Sequence, residues 1–132
     1  MYDESVFKVG MRLATKLFNA SKFTMMQLNG PALTGGRALV AGGLSPHNVI
    51  STEVYDPSTT DWTRTGDLGS SRALFTTTLL PSGKVLAAGG QFYYPDFSVG
   101  LRNSAELYDP VTDTWGPAGF LNEARFAHTA TL

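Results

Sequence analysis

The feature that most limits what this chain can become is a figure it writes twice. Paired glycines at Gly42 and Gly43 are followed by Tyr55 and Trp62, and the same marks return at Gly89, Gly90, Tyr108 and Trp115. Tyrosine to tyrosine and tryptophan to tryptophan, the interval is 53 residues. The flanking text agrees: EVYDPSTTDW at 53–62 answers ELYDPVTDTW at 106–115, and ALVAGG at 38–43 answers VLAAGG at 85–90. RALFTTTL at 72–79 returns as RFAHTATL at 125–132. A period near fifty with four short apolar runs per period marks a repeat architecture, in which each unit is too small to hide its apolar face alone.

The composition agrees with that reading. Only 16% of the 132 residues are charged, while 42% are apolar and 14 are glycine, a profile of short strands and tight turns. A net charge of −1 without a basic run offers nothing to a polyanion, so nucleic acid is not an expected partner. There is no cysteine, which removes disulfides, thiol catalysis and cysteine metal sites. No apolar run approaches the roughly 18 residues of a membrane helix. Asp3 and Glu4 stand where a signal peptide would be basic, so neither a leader nor a membrane partner is expected.

Taken in order, residues 1–21 admit two readings. Val6, Val9, Leu13 and Leu17 fall at helical spacing, with Lys8, Arg12 and Lys16 on another face. Alternatively, Tyr2-Asp3 and Phe23-Thr24 echo the later units, and the segment is a decayed unit end. From there the first unit reads as strands at 23–28, 37–41, 51–55 and from Trp62, closed by Gly66. The second has strands at 74–80, 85–88, 104–108 and 114–116. Asp56-Pro57-Ser58 and Pro81-Ser82-Gly83 are turn chemistry. The units divide at 22–66 and 67–119, with 120–132 opening a further unit by its first strand. The second unit differs in the loop after its glycines, which carries six extra residues.

The glycine pairs permit close backbone approach, and the Tyr and Trp fill the space between stacked sheets. Gly42, Gly43, Tyr55, Trp62, Gly89, Gly90, Tyr108 and Trp115 are therefore structural marks.

This arrangement resembles the kelch repeat, one four-stranded antiparallel blade of a β-propeller. The text HTATL, LLPSGKVLAAGG and SAELYDP is similar to bacterial kelch-type propellers and to the central domain of galactose oxidase. The resemblance implies an all-β fold of two and a half blades from an incomplete ring, with open edges that favour self-association. It implies a binding or protein-interaction scaffold whose partner is a protein or a small polar ligand, and it leans towards an extracellular setting. The ligand face would be formed by the loops joining strand 2 to 3 and strand 4 to the next strand 1.

On that face the candidate binding residues are Phe92, Tyr93, Tyr94, Phe97 and Arg102 of the long loop, with Arg72 and Arg125 at equivalent strand entries. Aromatics beside arginine are the composition of interface anchors, although Phe92 and Tyr93 can equally tuck back onto the blade. The two arginines can receive carboxylates or phosphates at a channel mouth, or serve as local ion-pair partners. The alternative implied by the resemblance is a copper-radical oxidase with Tyr and His ligands and a Tyr–Cys crosslink. No cysteine is present, and His47 and His128 are dispersed, so no metal, cofactor or catalytic residue is expected. A propeller piece without independent function is the third reading.

Overall fold

The computed structural model describes residues 26–28, 36–45 and 47–132. The two readings of residues 1–21 lie outside the described residues, as does most of the first connection at 29–36. Among the described residues the structure is all-β, arranged as two four-stranded antiparallel sheets and two small hairpins. No helix among them is long and apolar enough to cross a membrane.

The first sheet runs β1 (Met26–Leu28), β2 (Arg37–Ala41), β5 (Thr52–Asp56) and β6 (Asp61–Arg64), in that spatial order. The second is the same meander: β7 (Thr76–Leu79), β8 (Val85–Ala88), β11 (Ser104–Asp109) and β12 (Thr114–Phe120). Between second and third strands each unit inserts a hairpin. It is β3 (Leu44–Ser45) with β4 (His47–Asn48) in the first, and β9 (Gln91–Tyr93) with β10 (Val99–Leu101) in the second.

The repeat in sequence becomes a repeat in geometry. Tyr55 and Trp62 pair across β5 and β6, with ring centroids 5.1 Å apart and planes at 45°. Tyr108 and Trp115 pair across β11 and β12 at 5.3 Å and 45°. Both third-to-fourth strand turns are opened by an aspartate. Asp56 accepts the Ser58 amide at 2.9 Å, and Asp109 accepts the Val111 amide at 2.9 Å. The turns close through left-handed Thr60 (φ 61°) and Asp113 (φ 59°), positions where a side chain costs about 1 kcal/mol or more.

The core lies between the two sheets. Leu39 and Val54 of the first sheet meet Val85 and Tyr108 of the second, flanked by Leu79 and Trp115. In a second cluster along the seam, Ala41, Leu68 and Ala87 pack with Phe75 and Trp115. The indole of Trp115 also donates to Thr52 Oγ1 of the first sheet at 3.0 Å, a bond in which Thr52 is fully buried. Tryptophan thus joins one unit to the one before it.

The glycine pairs explain how one unit hands the chain to the next. Gly42 and Gly43 take φ of 60° and 111°, and Gly43 donates to the carbonyl of Arg72 at 3.0 Å. A Cβ on Gly42 would stand 2.6 Å from that same carbonyl, so a side chain there cannot coexist with the seam. The second pair repeats the device on Arg125: Gly90 donates to its carbonyl at 2.8 Å, and a Cβ on Gly89 would meet it at 2.6 Å.

Two expectations from the sequence are corrected. The entry at Arg125 forms, and Ala127 (φ 51°) even repeats the left-handed Leu74 (φ 52°), but residues 125–132 do not become a strand. A first strand is held by the second strand of its own unit, as β7 is by β8. No such strand follows within these residues. His128 accordingly lies half-buried in irregular chain rather than on a strand. The segments at 44–48 and 91–103, read as loops, are also more ordered than expected, since each folds into a hairpin.

Candidate functional site

The six-residue insertion of the second unit builds the most distinctive surface. Its hairpin turns at Tyr94–Ser98, where Asp96 accepts the Ser98 amide at 3.0 Å and Phe97 takes a left-handed φ of 64°. Strand alternation sorts the side chains into two faces. Phe92, Tyr94 and Arg102 share one: the Phe92 and Tyr94 rings meet edge-on at 4.9 Å, and the Arg102 guanidinium lies 4.2 Å over the Phe92 ring. Gly100, opposite Phe92, leaves the space that ring occupies, since any Cβ would collide with it. Gln91, Tyr93, Val99 and Leu101 form the other face.

The base of this hairpin is tied down on its β9 side. Gln91 exchanges both backbone hydrogen bonds with Ala73, each at 2.8 Å. The Asn48 side chain then acts as one more rung of strand: its carbonyl accepts the Tyr93 amide at 2.8 Å, and its Nδ2 donates to the Tyr93 carbonyl at 2.5 Å. Asn48 belongs to the first unit's hairpin, so the two insertions lie against each other. Arg102 completes the anchorage by donating from Nε to the Ser71 carbonyl at 2.6 Å. Burial, then the nearby charge of Arg72, hold its pKa below the ordinary arginine value.

The aromatics therefore divide. Phe92 and Tyr93 are half-buried and support the hairpin, whereas Tyr94 and Phe97 stand 50% and 76% exposed at its tip.

Arg72 and Arg125 divide more sharply. The Arg72 side chain is 0% exposed. Its Nη1 donates to the carbonyls of Gly89 (2.8 Å) and Ser104 (2.9 Å), and its Nη2 to Glu106 Oε1 at 2.7 Å. Glu106 also accepts the amides of Gly69 at 2.6 Å and Ser70 at 3.1 Å. Of the two readings of Arg72, channel-mouth cation or local ion-pair partner, these contacts favour the second: its guanidinium is spent on fastening the incoming chain to β8 and β11. A cleft of about 250 Å3 beside it, between Ser70, Glu106, Trp115 and Phe120, has for its one charged group a carboxylate that is already engaged. Arg125 is 50% exposed, and its nearest acid, Glu123, is 3.8 Å away.

His128 Nε2 is 3.1 Å from Thr76 Oγ1, and burial followed by the charge of Arg125 lowers its pKa. Among the described residues no three His, Cys, Asp or Glu side chains converge as a metal site would require. Sequence reasoning missed Asn48 and Gly100. Only the placement of Asn48 in the companion loop hinted at the first, and an isolated glycine between apolar residues at the second.

Comparison with known proteins bears on the repeat itself. Human Kelch-like protein 33 is 32% identical over 105 residues, which span 76% of this chain and 19% of that protein. An alignment of that length takes in repeat marks whose geometry recurs here. The chain is built of kelch repeats. Kelch-like protein 25 of Rattus norvegicus is similar as well, 29% identical over 86 residues, covering 64% of the kelch chain and 13% of the relative. The chain thus spans about a fifth or less of the curated relatives it matches. A fungal alcohol oxidase solved in complex with copper is 30% identical over 61% of this chain and 16% of its own, with a TM-score of 0.49. That overlap is too small to bear on activity. No family model matches the kelch chain.

Proposed function

We propose that these kelch blades serve as a binding scaffold for a protein partner, with the β9–β10 hairpin and the adjoining β3–β4 hairpin as the recognition surface. One observation carries this reading: Tyr94 and Phe97 are exposed at the tip of a hairpin whose base is fastened by Asn48, Ala73 and Ser71. A rigid base with a large apolar tip presents contact area at little entropic cost on association.

The reading assigns recognition rather than catalysis. Cysteine is absent, His128 is engaged with Thr76, and Arg72 is committed to Glu106. The test compares partner recovery by the full protein and by a Tyr94→Ala/Phe97→Ala variant, with Val111→Ala as control. Val111 is equally exposed but sits on the β11–β12 turn, at the opposite end of the strands. Partners lost with the hairpin variant and kept with Val111→Ala support the surface. Equal recovery from all three would remove it.

A further inference from the structure

Two tight turns in the second unit share one design and differ at one residue. Leu80-Pro81-Ser82-Gly83-Lys84 joins β7 to β8, and Tyr94-Pro95-Asp96-Phe97-Ser98 joins β9 to β10. In the first, Gly83 donates its amide to the Leu80 carbonyl at 2.9 Å, and Leu80 donates to the Lys84 carbonyl at 2.8 Å. In the second, Phe97 donates to the Tyr94 carbonyl and Tyr94 to that of Ser98, both at 2.9 Å. Each turn places proline second and makes its fourth residue left-handed, Gly83 at φ 82° and Phe97 at φ 64°. A three-residue loop that closes a hairpin in this way favours glycine at the left-handed position. A bulky residue there is an outlier, because its Cβ crowds the following carbonyl oxygen.

Repetition does not explain the exception. The other non-glycine residues of positive φ fall in pairs 53 apart, Thr60 with Asp113 and Leu74 with Ala127, so they belong to the common blade. Phe97 has no such counterpart among the described residues, and it stands in the hairpin that the insertion lengthens. Packing does not explain it either, since the ring is 76% exposed while Phe92 and Tyr94 lean on each other at 4.9 Å. Nor does the turn need the ring, because Asp96 fixes it by accepting the Ser98 amide at 3.0 Å and the Ser98 hydroxyl at 2.6 Å. Both bonds fall on Asp96 Oδ1, so a cation can meet Oδ2 without opening the turn. The Ser98 hydroxyl and then its amide also hold the Asp96 carboxyl below the usual aspartate range, which keeps it anionic at neutral pH.

We propose that Phe97 is the anchor of the recognition surface, kept at a glycine position because its ring enters an apolar pocket of the partner protein, whose rim carries a lysine or arginine against Asp96. This rests on the hairpin being the recognition surface, and narrows it to one ring and one carboxylate. A convex tip is covered only by a concave partner, and the exposed anion beside the ring calls for the opposite sign. A large aromatic enclosed in a desolvated pocket is the usual hot spot of an interface. Backbone strain held at a contact point exchanges some stability for that function. The Asp96 pair lies at the rim, so it acts on approach and salt dependence more than on residence.

The first measurement needs no partner. In the full protein Phe97→Gly is expected to keep or raise the melting temperature, and the reciprocal Gly83→Phe to lower it. Phe97→Asn repeats the test with a residue that tolerates the left-handed region but lacks the unfolded-state freedom of glycine. A lower melting temperature in both Phe97 variants would place the ring in the packing of the molecule and overturn the proposal. Gly83→Phe melting like wild type would do the same, because the turn would then accept a ring freely.

The second measurement uses p-benzoylphenylalanine in place of Phe97 as the probe, irradiated in an extract of the source organism. One adduct is expected, joined to an apolar peptide of the partner. Untagged wild type should compete it away, and Phe97→Gly should compete about tenfold less well, as for a hot-spot ring. Asp96→Asn keeps an acceptor for Ser98, and should compete less well than wild type at low salt but equally at high salt. No adduct, or equal competition by wild type and Phe97→Gly, overturns the anchor, and an Asp96→Asn variant equal to wild type at low salt overturns the cationic rim. Partner loss on Tyr94→Ala/Phe97→Ala alongside equal competition leaves the recognition surface standing without this anchor. An adduct to a second copy of this chain would overturn the partner assignment.

Discussion

Arg72 and Arg125 occupy the same place in consecutive repeats, and their surroundings have almost nothing in common. Each lends its carbonyl to the glycine pair of the preceding unit, at 3.0 and 2.8 Å. The backbone role is therefore a property of the repeat. The side chains differ because Arg72 finds Glu106 on the third strand of its own sheet, 34 residues on, whereas among the described residues the acid nearest Arg125 is the exposed Glu123 at 3.8 Å. Identical letters at identical register thus fix where the main chain goes. What the guanidinium does depends on whether the rest of its unit surrounds it.

The sharpest way to break the comparison is to remove both arginines in turn. Arg72→Met strands Glu106 inside the sheet and is expected to cost about 3–5 kcal/mol, the usual result of breaking a buried pair from one side. Arg125→Met in the 132-residue chain is expected to stay within about 0.5 kcal/mol, as for surface positions. Denaturant melts of that chain measure both, and equal losses would mean that Arg125 is as deeply engaged as Arg72.

A loss of comparable size is expected at the seam. Trp115→Ala removes the filler shared by both core clusters and should cost roughly 3–5 kcal/mol, transfer and cavity terms together. Thr52→Val isolates the polar part of that contact, leaving the half-buried indole N–H without its acceptor, at a cost of about 1 kcal/mol. Should Thr52→Val melt like wild type, water or a neighbouring carbonyl has taken over, and the seam is less specific than its geometry suggests.

Smaller still is the expected effect at the tip. Tyr94→Ala/Phe97→Ala should shift stability by less than about 1 kcal/mol, since neither ring is enclosed. A double variant that unfolds as readily as Trp115→Ala would turn the tip into core.

The smallest effect concerns acid. In Asp109 the hydrogen bond from Lys84, then the Val111 amide, lower the carboxyl pKa below 3.8; in Asp56 the Ser58 hydroxyl and amide do so. A lowered folded pKa means the contribution is complete above the unfolded value and fades as pH falls through the folded one. Acid melts below about pH 3.8 should therefore separate Asp109→Asn from wild type less and less. A gap that widens on acidification would reverse the sign.

What the sequence could reveal tracks what is local or periodic. β2 at 37–41 and β8 at 85–88 are readable to the residue because a glycine pair ends each one. The Tyr–Trp pairs are readable because a short turn fixes their cross-strand register. The strand expected at 125–132 is not formed among the described residues, because a first strand is held by the second strand of its unit, as β7 is by β8. At the candidate site, exposed aromatics can be anticipated from composition, but their division cannot. Whether Phe92 lies flat depends on Gly100 across the hairpin, and the fixing of Tyr93 depends on an asparagine 45 residues earlier. Pairings of that reach leave no periodic trace.

The reach of Asn48 has a consequence for anyone who would reshape this surface. Since an amide from one repeat completes the hairpin of the next, the inserted segment is not a self-contained cassette. Transplanting residues 91–103 onto another propeller would carry over the length and the aromatics but leave the amide of Tyr93 without its acceptor. The graft must travel in two pieces, and libraries built at the tip should hold Asn48 constant. Variation in one repeat's loop is inherited together with a single letter in its neighbour.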